Sequence, residues 1–454
     1  MQDVLTSPTV PSMRSVFTLA WPLGLKAIML HGIIVIDAYL VSRLGEPALS
    51  ALGLAGSISA VLLGILFAFS NATQIRIAQA FGSKESVALK TGFYVGLLIN
   101  LVATGLGLLV VWIVSDDIIS SFAHSSWIAD QAKRYLDVFM IVVVSEAIGQ
   151  CLSSHFNGCG KTKVPFHSYL IALPLNVGAS IVLIHGYFGL PELGLTGAAL
   201  GSALGSFARV VFLSFQFYRI DHAFTGVAGW LHGAFSTALR RHLVFSLPIA
   251  GTFVSMTLAN SACVLIYAKL SVNEFAAITL IIPWVHIVGM IGMSWSQSTG
   301  IILAQLLGGN HSGEELDIFL SRAWRMAFAA AGIVSMIYLS ICLASGWLYK
   351  DLQPETKDVL FSFLPILLLL PFPKGSNAIC GNTLRAGGDT VYVMNIFAGS
   401  SWLFKVPFTA LFVMYLELPI FWVFSLFLFD ELVKFSPFHL RLYKGVWKSN
   451  LNTR

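Results

Sequence analysis

The sequence predicts an all-α integral membrane protein of twelve transmembrane helices, built as two six-helix lobes related by a pseudo-two-fold axis along the membrane normal. Three observations carry this. Hydrophobic residues make up 56% of the 454 positions and charged residues only 11%, about half the charged share of a soluble domain. Apolar runs long enough to cross a bilayer recur from Ser15 almost to the C-terminus. The second half of the chain also repeats the first.

Apolar runs separated by polar breaks place helices near 15–41, 49–75, 88–114, 132–155, 164–186 and 194–218, then near 243–268, 275–303, 318–344, 359–383, 391–415 and 418–440. The domain reading is an N-terminal lobe over 1–218, a cytoplasmic linker over 219–242, and a C-terminal lobe with a basic tail over 243–454. The first residues are polar and include Pro8, with no short apolar stretch and cleavage site before the first long run, so the first helix is expected to stay in the mature protein.

Lysine and arginine concentrate in cytoplasmic connections, which tests the topology. With both termini inside, seventeen are cytoplasmic, from Arg14 and Arg76 to Arg441 and Arg454. Six fall outside: Arg43, Lys133, Arg134, Lys269, Lys350 and Lys357. The remaining four of the 27, Lys26, Arg209, Lys374 and Lys405, lie within expected spans. The basic residues are scattered between apolar runs and line no single face, so membrane orientation accounts for the net charge of +5 and nucleic acid does not.

The repeat has an offset of 226 residues: Pro22 pairs with Pro248, Ala51 with Ala277, Gln79 with Gln305 and Gly82 with Gly308. IAQAFGS at 77–83 faces LAQLLGG at 303–309, and FNGCGKT at 156–162 parallels LRAGGDT at 384–390. Six helices per half return the chain to its starting side, so the halves share one orientation. Parallel repeats of this kind usually hold a substrate between them and alternate access around it.

Asp37 lies deep in the first apolar run and is the leading functional residue. A carboxylate in a low-dielectric bundle is expensive to ionise, so proton binding there can be linked to a conformational change. The bland alternative is an aspartate that reaches water or a neighbouring helix. Pro22, fifteen residues earlier and about 22 Å along a helix axis, removes a backbone hydrogen bond and makes a candidate hinge. Pro248 has Cys263 where Pro22 has Asp37, so the halves share a scaffold and differ in chemistry.

Glu146, Tyr135, Gln150, Asn157 and Asn176 add polar groups to the fourth and fifth spans. Lys374, among FLPILLLLPFPKGSNAICG, must snorkel, pair with an acid or face a water-filled cavity. His31, His155, His167 and His185 lack metal-site spacing, and the five cysteines form no CxxC, so no metal is assigned. GCGKT lacks the glycine a phosphate loop needs, because His155 stands five residues before Gly160. HExxH and GxSxG do not occur, so the chain reads as a transporter driven by an ion gradient and not as an enzyme.

The ordered set VIDAYLVSRLGEPALSALGLAG at 35–56, IAQAFGS, FNGCGKTKVP, LGLTGAALGSALG at 193–205, IILAQLLGGN and LRAGGDT resembles the multidrug and toxic compound extrusion (MATE) family, over nearly the whole chain. The resemblance implies a cation-coupled antiporter that exports amphipathic, often cationic, organic compounds. It is nearest the DNA-damage-inducible protein F-like branch, which implies that Asp37 is the essential acid, that Pro22 marks where the first helix bends, and that Tyr135 and Asn176 belong to the surrounding polar network. The sequence departs at Ser180, where some members carry a second acid. It departs again at Lys374, eleven residues before Arg385, where the resemblance implies an aspartate. The seventh run, SLPIAGTFVSMTLANSAC, also lacks a glutamate.

The expectation is therefore proton-coupled export, with sodium as the alternative ion and no cofactor. Asp37, Tyr135, Asn176 and Gln150 form the coupling site, Pro22 the hinge, and Ser180, Ser202 and Lys374 line the substrate cavity. The protein is expected to act as a monomer in a bacterial-type inner membrane. The competing readings are a flippase for lipid-linked sugars or lipids, whose cavity would be richer in basic residues, and an intramembrane enzyme or receptor.

Overall fold

The structure is a computed structural model that describes residues 10–221, 234–267, 269–348 and 354–448. Residues 222–233 of the expected linker lie outside the described residues, as do Pro8, Lys350 and Arg454.

All regular structure among the described residues is helical, and it follows the expected order. The first six helices are Met13–Ser42, Glu46–Gly82, Ser86–Phe122, Ser126–Gly158, Lys163–His185 and Gly194–Asp221. The seventh to ninth are Ala234–Tyr267, Val272–Gly308 and Gly313–Leu348. Most run several residues beyond the apolar stretches, and several ends are capped. The Ser125 hydroxyl accepts from the Ile128 amide, Ser271 and Glu274 form a reciprocal capping box, and Gly186 closes the fifth helix in the left-handed region at φ 67°.

Two elements depart from the simple pattern. The tenth, expected as one helix over 359–383, is three segments, Pro354–Ser362, Leu364–Leu369 and Pro371–Ala386, with a 45° bend at the second break. Pro365, Pro371 and Pro373 remove backbone donors there and crowd the preceding turn. The eleventh span, Thr390–Tyr415, contains two π-helical stretches, Ser400–Lys405 and Leu411–Tyr415, on either side of Val406–Ala410. The twelfth helix, Ile420–Tyr443, is 24 residues long but carries Asp430, Glu431, Lys434 and Arg441, which lowers its apolarity. Among the described residues, ten helices are individually long and apolar enough to cross a bilayer, and the bent tenth element brings the number to eleven. The protein is a multi-pass membrane protein.

The chain forms two compact units. One contains residues 25–81 and 85–254, and the other contains residues 1–24, 82–84 and 255–454. The first unit's core gathers Val41, Ala55, Leu66, Tyr135, Leu136 and Ile184, with a second cluster around Phe93, Phe156 and Phe217. The other unit's core centres on Tyr267, Ile281, Tyr338, Phe363 and Phe424, where Phe363 and Phe424 stack with ring centres 4.0 Å apart. In this unit a Cβ on Gly82 would run into the backbone carbonyl of Gln305, so the glycine of the IAQAFGS repeat has a steric cause.

Candidate functional site: a buried carboxylate and its polar shell

The fifth and sixth helices approach closely enough to bring their polar side chains together. Gly197, Gly201 and Gly205, four residues apart, lie against Leu183, Ser180 and Asn176, and a Cβ at any of the three would collide with the backbone or side chain opposite. This is small-residue packing of the kind that joins helices where the solvent is lipid. It sets Ser202 against Asn176 and both against the first helix.

There Asp37 is buried at 8% exposure. Its Oδ2 accepts a hydrogen bond from Ser202 Oγ at 3.1 Å, and Ser202 Oγ accepts in turn from Asn176 Nδ2 at 2.9 Å. Asp37 Oδ1, Asn176 Oδ1 and Ser180 Oγ are buried without a hydrogen-bond partner. The carboxyl group has no ion-pair partner among the described residues. Tyr135, stacked on Phe139 in the core beneath, is near enough to feel the charge of Asp37 without hydrogen-bonding to it. A carboxyl group with one bonded and one open oxygen, paired with no cation among the described residues, can take up a proton on the open oxygen at little geometric cost.

The structure thus brings Asp37, Asn176, Ser202 and Tyr135 into one neighbourhood, with the buried Ser180 on the fifth helix beside Gly201. Gln150 is engaged elsewhere, donating to Glu146 Oε2 at 3.0 Å. That carboxylate pairs with Arg209, whose Nη2 lies 2.9 Å away, while Arg209 Nη1 donates to Tyr169 Oη at 2.5 Å. Arg209 is 1% exposed and lies over the Tyr169 ring. Gly149 makes room for the guanidinium, since a Cβ there would overlap it. Sequence reasoning found Glu146 and Arg209 separately and missed the pair, because 63 residues separate them. The i, i+4 spacing of Glu146 and Gln150 was the one local signal of this cluster.

Pro22 sits inside an unbroken first helix, and by its chemistry leaves the Thr18 carbonyl without an in-helix donor. Lys374 falls in the other unit, on the tenth element, beside the Asp430, Glu431 and Lys434 cluster of the twelfth helix. No group of three or more metal-ligating side chains occurs among the described residues.

The MatE family model matches residues 22–182 and 248–411, two stretches that begin at the paired prolines of the internal repeat. The chain is 22% identical over 455 residues to the uncharacterized transporter YisQ of Bacillus subtilis, covering 95% of this chain and 94% of that protein. It is 26% identical over 377 residues to a protein described as Probable multidrug resistance protein NorM of Rhizobium meliloti, covering 81% and 79%. Its fold matches the crystal structure of the eukaryotic MATE transporter AtDTX14 with a TM-score of 0.84 at 18% identity, over 97% of each chain. With most of the chain matched by the family model, in both halves, this protein belongs to the MatE family of membrane transporters.

Proposed function

We propose that this protein is a proton-coupled antiporter that exports amphipathic organic compounds, with Asp37 as the coupling carboxylate. The observation that carries this reading is the buried Asp37 carboxyl group, held on one oxygen by Ser202, which Asn176 in turn holds, and open on the other. A charge so enclosed strongly favours a conformation that hydrates or neutralises it. In the proposed cycle, a proton arriving from outside neutralises Asp37, the first helix changes course near Pro22, and substrate is released outward. Differential proton affinity between the two states is the only drive this cycle requires. The multidrug description of relatives such as NorM supports amphipathic compounds as the substrate class. In this reading the protein lies in a bacterial-type plasma membrane with both termini on the cytoplasmic side, and it acts as a monomer.

The test is efflux of a fluorescent amphiphile from proteoliposomes under an imposed pH gradient or, separately, a sodium gradient, in wild type and Asp37→Asn. The expected outcome is pH-driven efflux that Asp37→Asn abolishes and that sodium does not replace. Efflux that survives in Asp37→Asn removes Asp37 from the mechanism. Efflux driven by sodium alone replaces the proton with sodium as the coupling ion.

A further inference from the structure

The fifth and sixth helices run antiparallel, and their polar contacts fall into two layers. One is the layer of Asn176, Ser202 and Asp37. The other lies seven residues away on both helices, at Tyr169 and Arg209, about 10 Å along the axis. Between the layers Gly205 packs onto the fifth helix, where a Cβ would stand 3.0 Å from the Ala172 carbonyl oxygen and 2.9 Å from Asn176 Cβ. The glycine seam sets how close the two helices lie. It supplies no directional bond against sliding along the axis.

The second layer does. Arg209 Nη1 donates to Tyr169 Oη on the fifth helix at 2.5 Å, and Nη2 donates to Glu146 Oε2 on the fourth at 2.9 Å, with the guanidinium carbon 4.8 Å from the centre of the Tyr169 ring. Gln150 Nε2 donates to the same Glu146 oxygen at 3.0 Å and fixes the carboxylate from its own helix. A guanidinium is a planar, rigid fork, so both of its bonds hold at one axial position of the sixth helix and not at the next. One residue of slip is about 1.5 Å. Ser202 rides on the same unbroken helix, and its 3.1 Å bond to Asp37 Oδ2 is already at the long end for an O–H···O contact. A slip at Arg209 is therefore a slip at Ser202.

We propose that the Arg209 clasp is a positioning device for Asp37: by locking the sixth helix onto the fourth and fifth, it holds Ser202 Oγ against the Asp37 carboxyl group. Arg209 and Tyr169 act through Ser202, and Glu146 is their anchor. The proposal deepens the reading of Asp37 as the coupling carboxylate and takes its importance for transport from that reading.

The test reads Asp37 directly, by pH titration of the infrared carbonyl band of its protonated carboxyl group in the purified full-length protein, the band being assigned by its loss in Asp37→Asn. Removing one hydrogen bond in Ser202→Ala is expected to move the titration midpoint by roughly half to one pH unit. Arg209→Lys keeps the charge and loses the fork, and is expected to move the midpoint in the same direction. The Arg209→Lys/Ser202→Ala double variant moves it no further than Ser202→Ala alone, because the hydroxyl that the clasp positions is already gone. Tyr169→Phe gives a smaller shift of the same sign and serves as the test if Arg209→Lys does not elute as a single species. A midpoint that stays at the wild-type value in Ser202→Ala or in both clasp variants, whatever their melting temperatures, overturns the proposal. So does a double variant in which the two shifts add. Efflux that survives in Asp37→Asn defeats the coupling reading alone, since the midpoints report the geometry around Asp37 whether or not that residue drives transport.

Discussion

Each unit holds charged groups outside its ion pairs. In the unit of residues 25–81 and 85–254 these include a carboxylate, Asp37, which has a neutral hydroxyl for company, and an ammonium, Lys26, buried at 8% exposure. In the unit of residues 255–454 they include the ammonium of Lys374, whose acidic neighbours pair with Lys434. Both units also hold a closed cation–acid cluster, Arg209 with Glu146 in one and Lys434 with Asp430 and Glu431 in the other. The difference between closed and open groups is instructive. A charge that only holds a fold together is matched within the protein, and a charge left open is poised for something that comes and goes.

The sharpest way to break this comparison is to open a closed cluster. Glu146→Gln strands Arg209 in the core, and removing one partner of a buried pair costs about 3–5 kcal/mol, so a large fall in melting temperature is expected in detergent. Lys374→Met does the reverse. It removes an uncompensated charge, and its melting temperature is expected to equal or exceed that of wild type; a fall as large as that of Glu146→Gln would make Lys374 structural.

Intermediate in size is Gly201→Val, which drives a branched side chain into Ser180 and the fifth-helix backbone. Overpacking of this kind costs about 1–3 kcal/mol, and the expected result is a lower melting temperature together with slowed efflux, since Ser202 moves with the helix. The smallest effect belongs to Ser202→Ala. It removes one hydrogen bond from Asp37, worth about 1 kcal/mol, and should slow pH-driven efflux several-fold without unfolding the protein. An unchanged rate would show that Asp37 works without its hydroxyl partner.

Much of this was legible in the sequence, for a physical reason. In apolar runs a carboxylate or an ammonium is conspicuous, so Asp37, Arg209, Lys374 and Lys405 stand out at once, and repeated small residues and prolines mark equivalent positions in the two halves. What could not be read was pairing at a distance. Gln150 belonged by helix to the Asp37 neighbourhood, yet its amide serves Glu146, a choice made by Arg209 arriving from the sixth helix. The glycines at 197, 201 and 205 were visible as a motif, but that they press Ser202 toward Asn176 depends on which helix lies opposite. The break in the tenth element was written in its prolines and hidden by its unbroken apolar character.

The π-helical stretch that ends at Lys405 has a consequence for how the eleventh span tolerates a deletion. A π turn holds about one more residue than the α turn it replaces, so excising one residue there restores the α-helix and leaves the segments on either side in register. A deletion at Leu403 or Phe404 would keep Lys405 facing Asn260, whereas the same deletion in a plain α-helical stretch would turn everything after it by about 100° relative to everything before it.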